Sequence, residues 1–352
     1  MISRGRSFSS PPKLRVTSRV IIYCLMEDGQ FGKRKGKMSV NKLTVSKMTL
    51  GTVQLGMNYG LIGTNQMPDV RASYGILQAA WQGGVTAYDT AATYGESEQI
   101  LGRFFGKLQS GEAPTIITKI YVQPEQSWSP GRIKDEIYRQ TRASLEKLGV
   151  EQVSAMMLHN VDAMRAHGDI IAQVFAELVR DGLVEKAGIS FSSNTEEEFA
   201  MLRPYLEDSV FGAVQLPLNV FDHRPLNNGC LEMLRSAGKT VFVRSVFLQG
   251  LFYANEAELP SQLPEAVEPI RQLRELAHSC GLTPAELAVS YIRDMPGVDS
   301  LVIGVQTVEQ LEGNLRLIEG PAVPESICNE IRERFRNLPE RLLTPGMWSR
   351  AR

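Results

Sequence analysis

Short apolar segments rich in β-branched residues alternate with longer amphipathic segments along most of the chain. The short segments predict strands at 49–56, 86–90, 115–120, 155–159, 187–190, 213–219, 241–245 and 301–305. The longer segments predict helices at about 69–82, 96–107, 130–148, 169–182, 195–203, 226–237, 265–280, 283–295 and 307–318. This alternation is typical of parallel strands that are each followed by a crossover helix.

Eight strand and helix units predict an α/β protein whose strands close into a (β/α)8 TIM-type barrel, a single domain over residues 43–345. Helix-capping residues agree with these boundaries, because Asp69 can cap the first helix and both Ser129 and Thr283 precede a proline. An open doubly wound sheet is the alternative fold. The chain lacks the strand–GxGxxG–helix segment of a dinucleotide-binding sheet, which favours the barrel.

The first 42 residues form a basic extension that does not share this pattern. Its only acidic residues are Glu27 and Asp28, whereas arginines and lysines recur throughout. A segment of this composition lacks the apolar residues that a packed core needs. We expect it to be disordered, or to precede the true translation start at Met38 or Met48.

The overall charge is nearly balanced, with 38 Lys and Arg against 39 Asp and Glu. This balance gives no electrostatic reason to expect a nucleic acid or a membrane surface as partner, and no segment approaches the ~20 apolar residues of a membrane helix. The 4 cysteines lie far apart, without the spacing of a zinc site. We therefore expect a cytoplasmic monomer that acts on a small molecule and binds no metal.

Four polar residues lie at the ends of predicted strands or just beyond: Asp89, Tyr94, Lys119 and His159. Because the loops after barrel strands share one end of the barrel, we expect these side chains to meet. The set suits carbonyl reduction, in which a tyrosine protonates the oxygen while a hydride reaches the carbon. Lys119 would lower the pKa of Tyr94, and Asp89 would hold Lys119 in place. His159 would donate a hydrogen bond to the substrate oxygen.

Each of these residues alone has an ordinary structural explanation. Asp89 suits a turn cap, and Tyr94 suits the edge of a core. Lys119 suits a strand end whose charge reaches solvent, and His159 suits a hydrogen-bonded barrel histidine. Four such residues at consecutive strand ends favour the chemical explanation, since each charge buried alone would cost several kcal/mol.

The segment GVTAYDTAATYGESE at 84–98 resembles the aldo-keto reductase segment that carries the catalytic aspartate and tyrosine. Thr118-Lys119 is similar to the family's lysine strand, LHNVD at 158–162 to its histidine strand, and GLVEKAGIS at 182–190 to the start of its fifth strand. The resemblance extends over about residues 43–318 in the same order. It implies a nicotinamide-dependent oxidoreductase that interconverts a carbonyl and an alcohol. The implied catalytic tetrad is Asp89, Tyr94, Lys119 and His159, with Tyr94 as the general acid in reduction.

The resemblance also implies a cofactor site at the strand ends and at the eighth helix. Ser190 and Gln215 would hold the nicotinamide carboxamide. The segment with Ser245, Leu248 and Gly250 is similar to the family's diphosphate-binding loop, in which backbone N–H groups meet the phosphates. The other implied contacts are Gly51, Thr52, Arg244, Gly304, Gln306, Gln310 and, at the adenine, Asn314.

Three features depart from the family pattern. Phe191 replaces the asparagine that is common beside the carboxamide-binding serine. Arg244 replaces the tyrosine that commonly stacks on the nicotinamide; it favours an anionic or polyhydroxylated substrate, unless it pairs with a neighbouring carboxylate. Gln306 and Gln310 stand where basic residues are usual for the 2′-phosphate. Because Thr307 and the helix N-terminus can still bind a phosphate, we expect NADP(H) rather than NAD(H).

The main functional hypothesis is an NADP(H)-dependent oxidoreductase for an aldehyde, a ketone or a sugar-like substrate. One alternative is a cofactor-binding regulatory barrel protein with little turnover. A barrel hydrolase or lyase is the other, and the lack of paired catalytic carboxylates and metal-ligand clusters in the sequence disfavours it. We expect the loops after the first, fourth, sixth and seventh strands to select the substrate.

Overall fold

The computed structural model describes residues 20–25, 31–36, 42–59, 66–108, 113–123, 125–253 and 263–348. The chain divides into two units, Met1–Asn41 and Lys42–Arg352. In the first unit, β1 (Val20–Leu25) pairs antiparallel with β2 (Phe31–Gly36). The other residues of the predicted basic extension lie outside the described residues, so the expectation of disorder there stays a prediction.

The second unit is a closed barrel of eight parallel strands, which confirms the predicted fold. Going around the barrel, each strand pairs with the one before it in the chain, and the last strand pairs with the first at Leu301 and Met48. The strands are β3 (Met48–Gly51), β4 (Ala87–Asp89), β5 (Thr115–Ile120), β6 (Val153–Leu158), β7 (Val184–Ser190), β8 (Phe211–Pro217), β9 (Thr240–Arg244) and β10 (Ser300–Gly304).

Helices follow the barrel strands as the sequence pattern predicts. They are α1 (Val53–Gly56), α2 (Val70–Gln82), α3 (Ser97–Phe105), α4 (Pro130–Leu148), α5 (Ala163–Arg180), α6 (Glu196–Glu207), α7 (Arg224–Asn227), α8 (Cys230–Ser236), α9 (Val267–Ser279), α10 (Pro284–Arg293), α11 (Val308–Ile318), α12 (Glu325–Arg334) and α13 (Glu340–Leu343). Short 3-10 helices occur at Leu248–Tyr253, Pro264–Ala266 and Pro345–Met347.

The fourth helix shows how local sequence sets these boundaries. The Ser129 hydroxyl accepts a hydrogen bond from the Arg132 N–H at 3.3 Å, which caps the first turn, and Pro130 fills a position that needs no donor. Gly149 ends the helix with a φ of 67°, a conformation that glycine adopts without a steric cost. Its buried residues recur every three or four positions, at Ile133, Ile137, Thr141, Ser144, Leu145 and Leu148.

Several elements differ from the sequence-based expectation, and three cases show why. The predicted strand 49–56 ends at Gly51, because the Thr52 N–H donates to the Asp89 carbonyl and the Leu55 N–H donates back to the Thr52 carbonyl, which starts α1. Helix α5 begins at Ala163 rather than at residue 169. Its first turn precedes a kink at His167, and the rest of the helix continues beyond that kink. The helices α12 and α13 were not predicted, because their sequences have only a weak apolar repeat.

The apolar core has two layers, one inside the barrel and one between the barrel and its helices. The inner layer consists of Leu43, Ala87, Ile117, Ala155, Met157, Ala213 and Phe242. The larger outer layer packs the helices against the strands, as Ile133 and Ile137 of α4 do. Each fully buried side chain of this size contributes about 1.5–3 kcal/mol. With its interior filled, the barrel presents its loops at one end, where the polar strand ends meet.

Candidate active site

A buried ion pair joins the ends of β4 and β5. The Lys119 ammonium donates to both carboxylate oxygens of Asp89 at 2.7 Å and to the Thr90 carbonyl at 3.0 Å. The Lys119 side chain is 0% exposed, so its charge has no access to water. Burial opposes that charge most strongly, but the charges of Asp89 and Tyr94 and hydrogen bonds to both raise the pKa of Lys119 above its usual value. Lys119 is therefore a fixed cation.

Tyr94 lies in the loop between β4 and α3, with its ring centroid 5.0 Å from the Lys119 ammonium. Its backbone is held in a tight turn, because its N–H donates to the Ala91 carbonyl and its carbonyl accepts from the Ser97 N–H. Burial raises the pKa of Tyr94 and outweighs the opposing effect of Lys119. The expected effect of Lys119 is present, but the net shift is opposite to the prediction, and the phenol stays protonated at neutral pH.

His159 directly follows β6 and faces Tyr94. The two rings meet edge to face, with centroids 5.7 Å apart, and the Nδ1 atom of His159 lies 3.4 Å from the Thr93 hydroxyl. Burial, together with the positive charges of Lys119 and Arg244, lowers the pKa of His159 to about 3. The imidazole is therefore neutral at physiological pH and can donate one hydrogen bond.

Gln215 links the neighbouring strands to this cluster. Its amide nitrogen donates to the Asp89 carboxylate at 2.7 Å, and its amide oxygen accepts from the Ser190 hydroxyl at 3.5 Å. Asp89 thus accepts hydrogen bonds from both Lys119 and Gln215. The structure brings together all four predicted catalytic residues and both residues predicted to hold the carboxamide.

A hydroxyl network supports the strand ends beneath the cluster. The Ser97 hydroxyl lies 2.6 Å from that of Thr52, and the Thr90 hydroxyl donates to Ser97 at 2.9 Å. The Thr52 hydroxyl also donates to the Asp89 carbonyl at 2.9 Å. Sequence analysis did not single out Thr90 or Ser97, although both lie within the segment 84–98 that carries the family resemblance. These hydroxyls hold the backbone that carries Asp89 and Tyr94.

A cavity of about 960 Å³ opens beside the cluster and extends along the ends of β8, β9, β10 and β3 to α11. This volume is at the upper end of the range for small-molecule and cofactor sites. Among the residues predicted to bind a cofactor, those that line the cavity are Gly51, Thr52, Gln215, Arg244, Ser245, Gly250, Gly304, Gln306, Gln310 and Asn314. In the described part of the chain, Ser190 and Leu248 are buried beside it without lining it.

Arg244 connects the cavity to the loop after β7. Its guanidinium donates to the Phe191 carbonyl at 2.9 Å, to the Ser192 carbonyl at 3.2 Å and to the Ser245 hydroxyl at 3.2 Å. None of these partners is a carboxylate, so the alternative of a structural ion pair is not seen among the described residues. The buried Glu198 fixes the same loop by accepting the N–H groups of residues 192–194. Arg244 thus places a guanidinium at the cavity wall.

The backbone after β9 takes unusual conformations. Positive φ angles occur at Ser245 (62°), Leu248 (47°) and Gln249 (54°), and Gly250 has a φ of 92°. Non-glycine residues in this region are uncommon, and such strain clusters at ligand sites. The turn is held by the Leu248 and Gly250 N–H groups, which donate to the Ser245 and Phe247 carbonyls at 2.9 and 3.0 Å. The segment is the one that resembles the family's diphosphate-binding loop.

The first turn of α11 uses its own side chains as caps. The Gln310 amide oxygen accepts from the Gln306 N–H at 2.7 Å, and the Thr307 hydroxyl accepts from the Gln310 N–H at 3.2 Å. Hydrogen bonds from its own N–H and from Thr307 lower the pKa of Glu309, so a carboxylate stands at this turn. The N–H groups of Gln306 and Gln310 are therefore engaged within the turn, and the nearby Glu309 carboxylate disfavours an anion.

The cavity has features that fit a nicotinamide dinucleotide. The Gln54 amide oxygen is buried at the wall and has no hydrogen-bond partner among the described residues. A Cβ on Gly304 would lie 2.3 Å from this oxygen, so any other residue there would force the Gln54 side chain to move. Polar groups at Gln215, Ser245 and Asn314 are spaced along the cavity, as a long ligand with several polar groups requires.

The closed barrel thus brings Asp89, Tyr94, Lys119 and His159 together at the ends of its strands, beside the cavity. A model of the Aldo/keto reductase family matches residues 47–333, and the chain belongs to this family. It is therefore an oxidoreductase of the type that interconverts carbonyls and alcohols with a nicotinamide cofactor. Membership of this family excludes the alternative that the protein is a barrel hydrolase or lyase.

Individual proteins that are similar to this chain share between 22% and 26% of its residues. The putative voltage-gated potassium channel subunit beta of Schizosaccharomyces pombe is 26% identical over 302 residues, covering 79% of this chain and 86% of that protein. An aldo-keto reductase of Strobilurus tenacellus is 26% identical over 287 residues, covering 76% and 81%. A probable voltage-gated potassium channel subunit beta of Arabidopsis thaliana is 22% identical over 335 residues, covering 86% and 98%.

Among solved structures, an aldo-keto reductase from Bacillus halodurans in its holo form has the same fold. It superimposes with a TM-score of 0.66 at 22% identity, covering 83% of this chain and 92% of that chain. In the described part of this chain, no helix has both the length and the apolar character needed to cross a membrane.

Proposed function

We propose that this protein is an NADP(H)-dependent reductase in which Asp89, Tyr94, Lys119 and His159 form the catalytic tetrad. The supporting observation is the Lys119 cation, which lies 2.7 Å from the Asp89 carboxylate and 5.0 Å from the centroid of the Tyr94 ring. Asp89 and Tyr94 in turn line the cavity of about 960 Å³. The substrate is a small aldehyde, ketone or sugar-like hydroxy compound.

The bound nicotinamide would supply or accept the hydride, and the side chains manage the proton. Tyr94 holds a proton on its hydroxyl at neutral pH and donates it to the developing alkoxide oxygen. The Lys119 ammonium stabilises the phenolate that remains, and Asp89 fixes that ammonium in place. Neutral His159 donates a hydrogen bond to the same substrate oxygen and orients the carbonyl.

The cofactor would occupy the cavity along the strand ends. Gln215 and Ser190 would orient the carboxamide, the strained segment after β9 would contact the diphosphate, and Asn314 would contact the adenine. At the first turn of α11, Gln306 and Gln310 are neutral and their N–H groups already donate within the turn. Thr307 and the remaining N–H groups of the helix N-terminus would therefore bind the 2′-phosphate.

Three exposed tyrosines favour a sugar-like substrate. Tyr59 and Tyr253 line the cavity, and the Tyr121 ring lies 6.4 Å from that of His159. Tyr59 and Tyr121 are each 44% exposed, and Tyr253 is 52% exposed. Aromatic faces bury the C–H surface of a polar ligand, while the positive Arg244 suits hydroxyl or anionic groups. We also propose a cytoplasmic monomer, in line with the free thiols of Cys230, Cys280 and Cys328.

The second candidate function is a cofactor-binding regulatory subunit with little turnover. It is favoured by the relatives that are named as potassium channel beta subunits. The two functions differ in one measurable property, because only a reductase sustains steady turnover of simple aldehydes with excess reduced cofactor. The intact tetrad supports the reductase.

Tyr94→Phe tests the proposed role of the hydroxyl. We expect kcat for aldehyde reduction to fall by about 10²–10⁴-fold, because the general acid is lost. Cofactor affinity, measured by quenching of protein fluorescence with NADPH and NADH, should stay nearly unchanged. Tyr74→Phe is the matched control, since Tyr74 packs on Phe104 outside the barrel. Equal turnover by the Tyr94 variant would contradict the role, and binding of neither cofactor by the folded protein would contradict the function.

A further inference from the structure

We propose that the cation of Arg244 makes the cavity bind the reduced nicotinamide dinucleotide more tightly than the oxidised one. The site therefore favours reduction when both forms are present. The inference rests on the proposed nicotinamide-dependent function and adds the redox form that the site prefers. It is carried by the position of the Arg244 guanidinium, by the neutrality of its partners and by the charges around it.

Arg244 lies at the end of β9, beside the strands that carry the residues proposed to orient the carboxamide. Its partner in the sheet is Pro217, two residues beyond Gln215 on β8. The Arg244 guanidinium reaches the loop after β7, where it donates to the Phe191 carbonyl at 2.9 Å. Phe191 directly follows Ser190, and its N–H donates to the Gln215 carbonyl at 2.8 Å. The charge of Arg244 thus lies next to the residues that would orient the nicotinamide.

The charge of Arg244 also acts on the two groups that would hold the substrate oxygen. Burial lowers the pKa of His159 most strongly, and the positive charges of Lys119 and Arg244 lower it further. Burial raises the pKa of Tyr94, and Arg244 is among the charges that oppose this rise. A hydride donor has to come within about 3–3.5 Å of a carbonyl carbon whose oxygen lies at these two groups. A nicotinamide placed for transfer therefore lies within the field of Arg244.

Among the described residues, the hydrogen-bond partners of Arg244 are neutral groups. The Phe191 and Ser192 carbonyls accept from one nitrogen of the guanidinium, and the Ser245 hydroxyl accepts from another at 3.2 Å. The buried Glu198 carboxylate instead accepts backbone N–H groups of the loop after β7, and in this part of the chain no ion pair joins it to Arg244. These contacts position the guanidinium without neutralising its charge.

The other charges at the catalytic end cancel in the part of the chain that the structure describes. The Lys119 ammonium lies 2.7 Å from both carboxylate oxygens of Asp89. Tyr94 keeps its proton at neutral pH, because burial raises its pKa. His159 is neutral, since burial lowers its pKa to about 3. Arg244 therefore gives this end of the cavity a net positive charge.

The two redox forms of the cofactor differ in charge only at the nicotinamide. The oxidised ring is a cation and the reduced ring is neutral, whereas the phosphates are the same in both forms. Contacts that both forms make cancel when their affinities are compared. Repulsion between two like charges in a partly buried site weakens binding by about 5- to 50-fold. The guanidinium therefore disfavours the oxidised form specifically.

This difference in affinity favours one direction of the reaction. In a mixture of both forms, the site is filled mainly by the reduced dinucleotide, because only differential affinity shifts such an equilibrium. After hydride transfer the ring becomes a cation beside Arg244, and the oxidised product dissociates readily. Weak product inhibition by the oxidised dinucleotide is the kinetic consequence.

The test compares Arg244→Met, which removes the charge, with Arg244→Lys, which retains it. Arg203→Met on α6 is the matched control, because Arg203 is exposed and pairs with Glu207 at 2.7 Å on the surface. Calorimetry without substrate measures the dissociation constants of NADPH and NADP⁺, and of NADH and NAD⁺. The same titration with 2′,5′-ADP, which carries no nicotinamide, reports the remainder of the cavity.

We expect the wild type to bind the reduced form about 5- to 50-fold more tightly than the oxidised form of the same dinucleotide. Arg244→Met should bring the two dissociation constants to within about 3-fold of each other, because the repulsion is lost. Arg244→Lys should retain most of the difference. Arg203→Met should leave it unchanged, and the affinity for 2′,5′-ADP should be the same in all of these proteins.

The same ratio of the two dissociation constants in wild type and in folded Arg244→Met would overturn the inference, because the guanidinium would then act equally on both forms. Tighter binding of the oxidised form by the wild type would overturn it as well. Failure of the wild type to bind any of the four dinucleotides would instead overturn the proposed function. The unfolding temperature of each ligand-free variant shows whether it is folded.

Discussion

Asp89 accepts hydrogen bonds from two side chains that reach it from different strands, Lys119 of β5 and Gln215 of β8. An isolated carboxylate at this depth would be strongly disfavoured, but each partner here is satisfied by the same group. The sequence predicted the Lys119 contact from the strand ends. The family resemblance implied that Gln215 binds the nicotinamide carboxamide. The sequence did not predict that Gln215 also donates a hydrogen bond to Asp89. That contact depends on the register of distant strands.

At the residue scale, His159 predicts a dependence of stability on pH. Its pKa is about 3 in the folded chain and 6.5 without the fold, so the unfolded chain takes up a proton first as the pH falls. The contribution of neutral His159 to the free energy of unfolding is fully present above pH 6.5. It is lost as the pH falls from 6.5 to 3, by up to about 1.4 kcal/mol per pH unit.

Urea unfolding at pH 7, 6 and 5 measures this contribution. The free energy of unfolding of His159→Gln should fall less steeply than that of the wild type, because the variant has no proton to take up at this position. His223, whose burial lowers its pKa to about 4, stays in both proteins and cancels in the comparison. Identical slopes would show that His159 is not buried in its neutral form.

At the element scale, two glycines let the loop after β3 approach the turn that carries Tyr94. A Cβ on Gly56 would lie 1.9 Å from the Tyr94 carbonyl oxygen, and one on Gly95 would lie 2.1 Å from the Gly56 carbonyl oxygen. Both obstacles are backbone atoms, which cannot rotate away. The position of Tyr94 against Lys119 thus depends on the absence of two methyl groups.

We expect Gly56→Ala to displace Tyr94 and to lower kcat by about 10²-fold, since a shift of about 1 Å at a catalytic group has this effect. The strain should also cost about 1–3 kcal/mol in the free energy of unfolding. Gly84→Ala is the control, because Gly84 has a φ of 79° but no atom within 4 Å of its added Cβ. The control should lose stability without losing kcat. Unchanged kcat in Gly56→Ala would show that the close approach does not position Tyr94.

The elements themselves were predicted well where the signals are local. Strand β5 and helix α4 have the predicted bounds, because an apolar run and a capped amphipathic repeat are visible in the sequence alone. The prediction failed where a contact with another element sets the end of a strand or the capping of a helix. The end of β3 follows from a hydrogen bond to Asp89, and the capping of the α11 N–H groups follows from side chains that could equally have faced a ligand.

At the scale of the whole molecule, the barrel unit contains every strand that it needs. Each of its strands pairs with two neighbours, so no open edge requires the first unit. We expect deletion of residues 1–41 to leave the unfolding temperature and NADPH affinity unchanged. Deletion through residue 45 also removes Leu43, which packs inside the barrel, and should cost about 1.5–3 kcal/mol. Loss of cofactor affinity in the shorter deletion would contradict this independence.

The sequence by itself determined the alternation of strands and helices, the barrel, and the meeting of Asp89, Lys119 and His159 at its strand ends. These features depend on local periodicity and on the rule that loops after barrel strands share one end. Only the tertiary structure decided the direction of the Tyr94 pKa shift, since burial and charge act together there. It also decided which residues share one wall of the cavity. Arg274 is distant in sequence from Gln310, and helix packing alone brings both into one wall.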